Sequence, residues 1–241
     1  MKVKLTIIQS KYYKVGDLYV VNGEPLGLVY EISDGGAHGK VVALKAHRDL
    51  NLWYRTGLPY DEIHPEDPNN VGVIARSETD GQENMKAYKQ IPDWKTHYPV
   101  AAYVSDLNDE NGNPGWYLPA IKEVQAMVGW IDGEVLSPDG EAGQEPSEAM
   151  KEKRKAINQL IVDNGGNEFY FYGYDVSFII DQTNAWEADY FNRIYTSTET
   201  DYQVHPMVFK FYLRNGWWEN MHIYGDLAGR GYGEVRPFLA F

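Results

Sequence analysis

The character of the chain changes at Gly166, and this change most constrains the fold. Beyond that point the sequence is a succession of short runs rich in aromatic and β-branched residues: 169–172, 176–180, 193–197, 208–213, 221–224 and 235–241. Runs of this length between turn residues are typical of antiparallel strands. We therefore predict a C-terminal meander of antiparallel strands.

Three segments before this point instead carry apolar residues at the three- and four-residue spacing of helices. They are 81–91, 119–129 and 147–165. Asp80 can cap the first helix, Pro119 suits the first position of the second, and the third runs from Ser147. Helices followed by a run of strands predict an α+β architecture with two to three helices.

The N-terminal third predicts strands and one long loop. Residues 3–8 alternate between apolar and polar, as in a strand. Gly27–Ile32 and Gly39–Leu44 flank the turn Ser33–Gly36 and predict a hairpin. Residues 50–80 carry turn-forming residues without a sustained period, so we expect a long ordered loop there.

Charge and composition exclude several classes of function. The net charge of −13 argues against a nucleic-acid partner, because such binding depends on Lys and Arg that neutralise phosphates. The chain has no Cys, which excludes disulfides, thiol nucleophiles and cysteine-ligated metals. No stretch approaches the roughly 18 apolar residues of a membrane helix, and residues 1–10 lack the apolar core of a signal peptide. We expect any export signal to lie upstream of residue 1.

Six strings, in this order, carry a resemblance to a known family. They are Tyr13–Asp17, 27–44 (GLVYEISDGGAHGKVVAL), 77–85 (SETDGQENM), 111–127 (NGNPGWYLPAIKEVQAM), 195–199 (YTSTE) and 235–241 (VRPFLAF). The chain resembles a widespread, little-characterised family of bacterial surface domains with a C-type-lectin-like fold. Related folds include receptor-binding proteins with diversified surfaces and the formylglycine-generating enzymes.

The resemblance implies a single domain over residues 11–241 whose two ends come together. In this fold a strand near the start pairs with the terminal strand. Val235–Phe241 is therefore expected to be paired on both sides and to lie antiparallel to Gly27–Ile32.

Two segments depart from the simpler members of that family. Residues 131–168 are expected to form an insertion, of which the acidic, Gly- and Pro-rich part 131–146 is mobile. Residues 1–10 resemble the last strand of the immunoglobulin-like modules that often precede such domains, and are expected to be a leader. The competing interpretation is that they form a first strand of the domain itself.

The same comparison argues against known activities of the scaffold. Formylglycine-generating chemistry requires cysteine thiols, which the chain lacks. The histidines show no pair at helical spacing that would hold a catalytic metal, so we expect no metal and no cofactor. The oxygen-rich segment Asp106–Asn113 departs from the spacing of a calcium loop and is expected to be a solvated loop. His38 is expected to hydrogen-bond at its turn.

Two charged residues of the resembling strings are expected to be structural. Glu199 and Arg236 each lie in an otherwise apolar stretch. A charge in such a stretch is usually buried and paired, so we expect Glu199 and Arg236 to form a buried structural pair rather than a catalytic one.

Aromatic side chains near one predicted turn carry the functional hypothesis. Asn215–Gly216 is a hairpin-turn dipeptide, and the two indoles that follow it are expected near an exposed loop. The ligand-binding candidates are Trp217, Trp218, Glu219, Tyr224, Asp226 and Tyr232. Flat aromatic rings with acidic neighbours suit a sugar face or a protein partner. The alternative is that the indoles fill the core.

The sequence thus predicts a non-enzymatic recognition domain at the extracytoplasmic cell surface that binds a glycan or a protein. Its association with the outer surface would run through an upstream segment. The alternatives are a hydrolase or metal-dependent oxidase on the same scaffold, and a structural spacer or fimbrial subunit. Converging carboxylates or histidines in a cleft would favour the enzyme, and an exposed aromatic platform would favour the binder.

Overall fold

The computed structural model describes residues 12–48, 74–111, 115–132, 147–169, 193–199, 206–211, 218–222 and 233–241. The strands within these ranges are β1 Leu18–Val21, β2 Glu24–Ser33, β3 His38–Ala43, β4 Arg193–Glu199, β5 Pro206–Phe211, β6 Trp218–His222 and β7 Phe238–Ala240. The helices are α1 Gly81–Tyr88, α2 Trp94–His97, α3 Pro99–Asn111, α4 Ile121–Asp132 and α5 Glu148–Asp163. The predicted α+β architecture is confirmed.

The first sheet has the order β1-β2-β3-β7, and each neighbouring pair is antiparallel. β2 and β3 form the predicted hairpin around a short 3-10 turn at Asp34–Gly36. The patterns above do not predict β1. It joins β2 through Asn22 and Gly23, whose φ angles of 53° and 89° lie in the left-handed region that Asn and Gly tolerate best.

The terminal strand is paired on both sides, as expected, but its partner differs from the prediction. β7 lies antiparallel to β3 rather than to Gly27–Ile32, because β2 already has β1 and β3 on its two edges. On its other side, Phe238 and Tyr117 exchange two backbone hydrogen bonds of 2.8 and 2.9 Å. The strand nearest the start, β1, pairs with β2 and not with the terminal strand.

The two ends of the described chain nevertheless meet. The rings of Tyr13 and Phe241 have centroids 5.0 Å apart, and the Tyr19 ring stacks on Phe241 at 5.4 Å. The amide of Tyr13 also donates to the carbonyl of Gly36 at 3.0 Å. Aromatic packing, rather than strand pairing, therefore joins the ends.

The second sheet contains three strands of the predicted meander, with the order β4-β5-β6 and antiparallel pairs throughout. The last predicted run, 235–241, instead joins the first sheet through β7, and residues 170–180 lie outside the described residues. β4 connects it to the rest of the domain. The amide of Ser197 donates to the carbonyl of Pro119 at 2.7 Å, and the amide of Glu199 donates to the carbonyl of Ala75 at 2.8 Å. This sheet is thus tied through β4 to the segments that precede α1 and α4.

The three predicted helices are present as α1, α4 and α5. The carboxylate of Asp80 accepts from the amide of Glu83 at 3.0 Å and caps α1, while the hydroxyl of Ser147 caps α5. α4 begins at Ile121 rather than at Pro119, and it continues beyond the predicted end at Gly129. Its apolar stripe is buried, as predicted: Ile121, Val124, Met127 and Val128.

Two helices, α2 and α3, are not predicted by the sequence patterns. Pro99 is the first residue of α3. The first turn is the part of a helix in which the missing N–H of proline costs nothing, because that N–H would have no intrahelical partner. The expectation of a solvated loop at Asp106–Asn113 is wrong, because α3 extends through Asn111.

Part of the expected insertion belongs to the core. Within α5, Ile157 and Ile161 are buried, and the side-chain amide of Asn158 exchanges two hydrogen bonds of 2.8 Å with the backbone of Phe169. Residues 133–146, the leader expected at 1–10, and residues 50–73 of the long loop expected at 50–80 lie outside the described residues, so those expectations stay predictions. Residues 74–80 contain no helix or strand, as expected for the end of that loop.

A buried carboxylate joins four segments at the centre of the domain. Glu123, in the first turn of α4, is 3% exposed. Its carboxylate accepts from the amides of Gly81 and Ala120 at 3.0 and 2.9 Å and from the hydroxyl of Tyr117 at 2.8 Å. The ammonium of Lys40 on β3 lies 3.0 Å away. Helices α1 and α4, strand β3 and the Tyr117 segment thus share one anion.

We expect Glu123→Gln to lower the free energy of unfolding by about 2 kcal/mol, because hydrogen bonds to a buried charged group are worth about 1.5 to 3 kcal/mol. The neutral amide loses the attraction of Lys40 and presents an N–H group where only donors point. Urea unfolding followed by circular dichroism measures the change. Glu148→Gln is the matched control, because the Glu148 side chain is 86% exposed. Equal midpoints for the two variants would contradict the role given to Glu123.

Two buried phenols provide a matched pair of variants. The hydroxyl of Tyr117 donates to Glu123, whereas that of Tyr30 has no hydrogen-bond partner among the described residues. Tyr117→Phe is expected to cost about 1 to 3 kcal/mol, because it leaves a buried acceptor without its donor. Tyr30→Phe removes an unsatisfied hydroxyl and is expected to leave stability unchanged or higher. Thermal unfolding of both variants checks this order, and a larger loss for Tyr30→Phe would refute it.

Alkaline pH tests the same phenols. Burial raises the pKa of Tyr30 and of Tyr117 well above the ordinary value of 10.0, and the nearby Glu123 carboxylate adds to the rise. Since the unfolded chain titrates first, the stability that each phenol contributes is complete below pH 10 and is lost as the pH rises further. The unfolding free energy of Tyr30→Phe should therefore fall less steeply above pH 10 than that of the wild type. Parallel profiles would count against this assignment.

Candidate functional site

The described residues form a cleft of about 510 Å³ at one end of the first sheet. Segments that are far apart in the sequence meet there: the β1–β2 hairpin, the end of β3, α3, the segment that follows α3, and the end of α5. The lining residues are Val21, Asn22, Glu24, Pro25, Leu26, Ala43, Leu44, Lys45, Tyr103, Leu107, Trp116, Asn164, Gly165 and Pro237. The volume falls within the range of small-molecule sites.

One side of the cleft is built by the β1–β2 hairpin. The Asn22–Gly23 turn places Asn22 and Glu24 at its tip, and both side chains are exposed. The pairing of β2 with β3 continues beyond Ala43, because the amide of Leu44 donates to the carbonyl of Leu26 at 3.0 Å. This brings the exposed Lys45 beside the hairpin. Asn22, Glu24 and Lys45 form what we call the polar rim.

Two aromatic residues line another side. The Tyr103 ring of α3 stacks on the ring of His47 at a centroid distance of 4.3 Å. Trp116 is held through its backbone, whose amide donates to the side-chain oxygen of Asn108 at 2.7 Å and whose carbonyl accepts from the Asn108 amide at 2.9 Å. We call Tyr103 and Trp116 the aromatic wall. Both rings have fixed neighbours, so the wall is preorganised.

The end of α5 closes the cleft. Gly165 has a φ of 73°, the left-handed conformation that commonly terminates helices. The side-chain amide of Asn164 donates to the carbonyl of Leu160 at 2.8 Å, which orients this residue. Gly166 approaches the backbone so closely that an added Cβ would lie 2.5 Å from the carbonyl oxygen of Leu44. Only glycine permits this contact between α5 and the end of β3.

Behind the cleft, a fully buried arginine holds the end of β3. The guanidinium of Arg236 donates to the carbonyls of Ala43 and Leu44 at 3.2 and 3.1 Å and to that of Asn167 at 2.8 Å. It also lies 4.0 Å from the centre of the Phe169 ring. A rigid fork of donors can serve several carbonyls at once, which an ammonium cannot do.

The carboxylate partner of Arg236 is Glu234. Their closest atoms, Nε and Oε1, are 2.7 Å apart, and both side chains are buried. Arg48 donates to the other oxygen of Glu234 at 3.0 Å. Burial lowers the pKa of Arg236, and the positive charge of Arg48 acts in the same direction, while Glu234 opposes both. Glu234 therefore offsets part of the cost of burying this cation.

The predicted pairing of Arg236 with Glu199 is wrong, although both residues are buried as expected. The carboxylate of Glu199 instead accepts from the backbone amides of Ile74 and Ala75 at 3.0 and 3.3 Å. Glu234 lies two residues before Arg236 on the same extended segment, so its side chain points to the same face. Glu199 is already engaged by a different part of the backbone.

Comparisons with known proteins show a similarity of fold and no family. No protein-family model matches the chain, and no curated protein matches it. Among solved structures, it is similar to a fimbrial protein from Bacteroides ovatus ATCC 8483, with a TM-score of 0.53 at 13% identity. The similarity covers 95% of this chain and 49% of the fimbrial protein. The chain therefore spans about half the length of that protein. At this identity the likeness concerns the fold alone.

The structure does not describe the side chains of the ligand-binding candidates that the sequence predicts. Trp217, Tyr224, Asp226 and Tyr232 are outside the described residues. Trp218 and Glu219 open strand β6, where the backbone is described and the side chains are not. The aromatic platform around the Asn215–Gly216 turn therefore stays a prediction.

Two further kinds of site, a metal centre and a membrane-spanning helix, are absent from the described residues. Within the described ranges, no three His, Asp or Glu side chains come together to hold a metal ion. The Nδ1 atom of His38 lies 3.3 Å from the carbonyl of Phe241, a hydrogen bond across to the terminal segment rather than within its own turn. None of the helices in the described part of the chain is long and apolar enough to cross a membrane.

Sequence reasoning missed the cleft, although one of its signals was available. An Asn-Gly dipeptide is a strong short-range signal for a hairpin, and Asn22–Gly23 directly follows the apolar run Leu18–Val21. Tyr103 and Trp116 could not be brought together from sequence, because their contact depends on the unpredicted helix α3. The arrangement offers apolar contact from its walls and hydrogen bonds from its rim.

We expect Arg236→Met to lower the free energy of unfolding by about 3 to 5 kcal/mol, because it leaves the partners of a buried charge uncompensated. The carbonyls of Ala43 and Leu44 lose their donors, so the wall of the cleft loosens as well. Urea unfolding of this variant is compared with Lys155→Met, an exposed cation on α5. A loss below about 1 kcal/mol, the range of surface ion pairs, would contradict this role for Arg236.

Proposed function

We propose that this chain is a non-enzymatic structural module of a bacterial surface fibre or adhesin. The observation that carries the proposal is the similarity of its fold to a fimbrial protein over 95% of the chain. Of that protein, 49% is covered, which is the proportion expected for a module that works beside a second one. A surface location follows from the proposal.

The use of polar groups in the interior supports a structural role. Glu123 and Arg236 are both buried. Glu123 accepts hydrogen bonds from backbone amides, and Arg236 donates to backbone carbonyls of another segment. Asn84 does the same, because its side chain exchanges two hydrogen bonds, of 2.9 and 2.7 Å, with the backbone of Ser77. Such bonds fix segments relative to one another, which suits a module that must hold its shape outside the cell.

Recognition by the C-terminal aromatic residues is compatible with this role. Surface fibres present ligand-binding surfaces as well as structural modules. Binding of a glycan or a protein near Trp218 remains a prediction of the sequence. The C-type-lectin-like fold remains a prediction as well.

Surface labelling tests the proposal. Cells that express the protein naturally are labelled with an antibody raised against this chain and viewed by immunogold electron microscopy. We expect gold particles on the outer surface, along filaments or at their tips, and loss of the chain when intact cells are treated with protease. A strain that lacks the gene is the control. Label confined to the cytoplasm, together with resistance to protease on intact cells, would overturn the proposal.

A further inference from the structure

We propose that the 510 Å³ cleft is a binding site for the end of a neutral glycan, about one or two sugar rings long. This goes beyond a structural role, and it concerns different residues from those of the predicted platform around Trp218.

The aromatic wall supplies the apolar part of the site. A sugar ring has one face of C–H groups, and such a face packs on a flat aromatic side chain. Tyr103 is half-buried and stacked on His47, so its exposed part is the surface on which a sugar ring would pack. Trp116 borders the cleft but is 7% exposed and fixed in the core, so little of its ring is open to a ligand. Neither residue loses much freedom when a ligand binds. A preorganised wall lowers the entropic cost of binding.

The polar rim supplies the complementary part. Asn22 offers an amide with both donors and an acceptor, Glu24 offers acceptors, and Lys45 offers donors. Sugar hydroxyls both donate and accept, so they can use all three side chains. The Asn22–Gly23 turn fixes the origin of the Asn22 and Glu24 side chains, while the side chains themselves remain exposed to a ligand.

The charge of the cleft selects a neutral ligand. Among the lining residues that the structure describes, Glu24 carries the one carboxylate and Lys45 the one ammonium, so this described lining has no net charge. The chain as a whole has a net charge of −13, which disfavours the approach of sialylated, sulfated or phosphorylated ligands.

Saturation-transfer NMR with a defined panel tests the proposal. The panel contains lactose, cellobiose, mannobiose and N-acetyllactosamine, with sialyllactose as the charged counterpart of lactose and a proline-rich peptide as a different ligand class. We expect transfer to at least one neutral disaccharide, strongest at its C–H protons, and a weaker signal from sialyllactose.

Rim variants then locate the site. Asn22→Gly removes the amide while keeping the left-handed turn, and Glu24→Ala removes the carboxylate. Each is expected to weaken the Kd by about fivefold, the effect of one lost hydrogen bond, without a change in melting temperature. Glu31→Ala is the matched control, because Glu31 is an exposed glutamate on the same strand β2 towards its other end. Its Kd should equal that of the wild type.

Three outcomes would overturn the proposal: no transfer to any neutral disaccharide, binding that is restricted to sialyllactose or the peptide, or an unchanged Kd in the double variant of Asn22 and Glu24. None of these outcomes would affect the surface labelling that tests the structural role. The two proposals therefore fail separately.

Discussion

The carboxylate of Glu123 is the interaction on which the arrangement of segments depends. A buried anion must be surrounded by donors, because its desolvation costs several kcal/mol if they are missing. Here the donors come from the start of α1, the start of α4, the side chain of Tyr117 and Lys40 of β3. Tyr117 in turn pairs with the terminal strand. If the four segments were placed differently, Glu123 would lose its partners, so this one residue specifies their relative positions.

Arg236 has the complementary role at the other end of the first sheet. Arg236 is a buried cation that donates to backbone carbonyls, whereas Glu123 is a buried anion that accepts from backbone amides. The two residues lie beside opposite ends of β3. The cleft lies next to the Arg236 cluster, where Ala43 and Leu44 are held from behind. This explains how a site with an exposed, adaptable rim can have fixed walls.

The sequence predicts features that depend on a few neighbouring residues, and it fails for pairings between segments that are far apart in the chain. Asp80, Ser147 and the apolar stripe of α4 gave correct helices, and the β2–β3 hairpin was correct, because caps, periods and turns act over a few residues. The partner of β7 was wrong because it depends on which strand edges are free, and that is decided by β1. The partner of Arg236 was wrong for a different reason, since a family resemblance outweighed the simple rule that residues two apart on a strand share a face. The candidate cleft required α3, which the sequence patterns did not predict.

The position of β7 has a consequence for the order of folding. The β2–β3 hairpin uses contacts within about 20 residues and can form early, whereas a hydrogen bond such as that from His38 to Phe241 spans 203 residues. During synthesis the outer edge of β3 therefore gains β7 as its partner only after residues 238–240 have left the ribosome. An open strand edge pairs readily with other chains, so this edge is exposed to aggregation while the residues between β3 and β7 are being made. A chaperone that shields the β3 edge until β7 is available would remove this hazard.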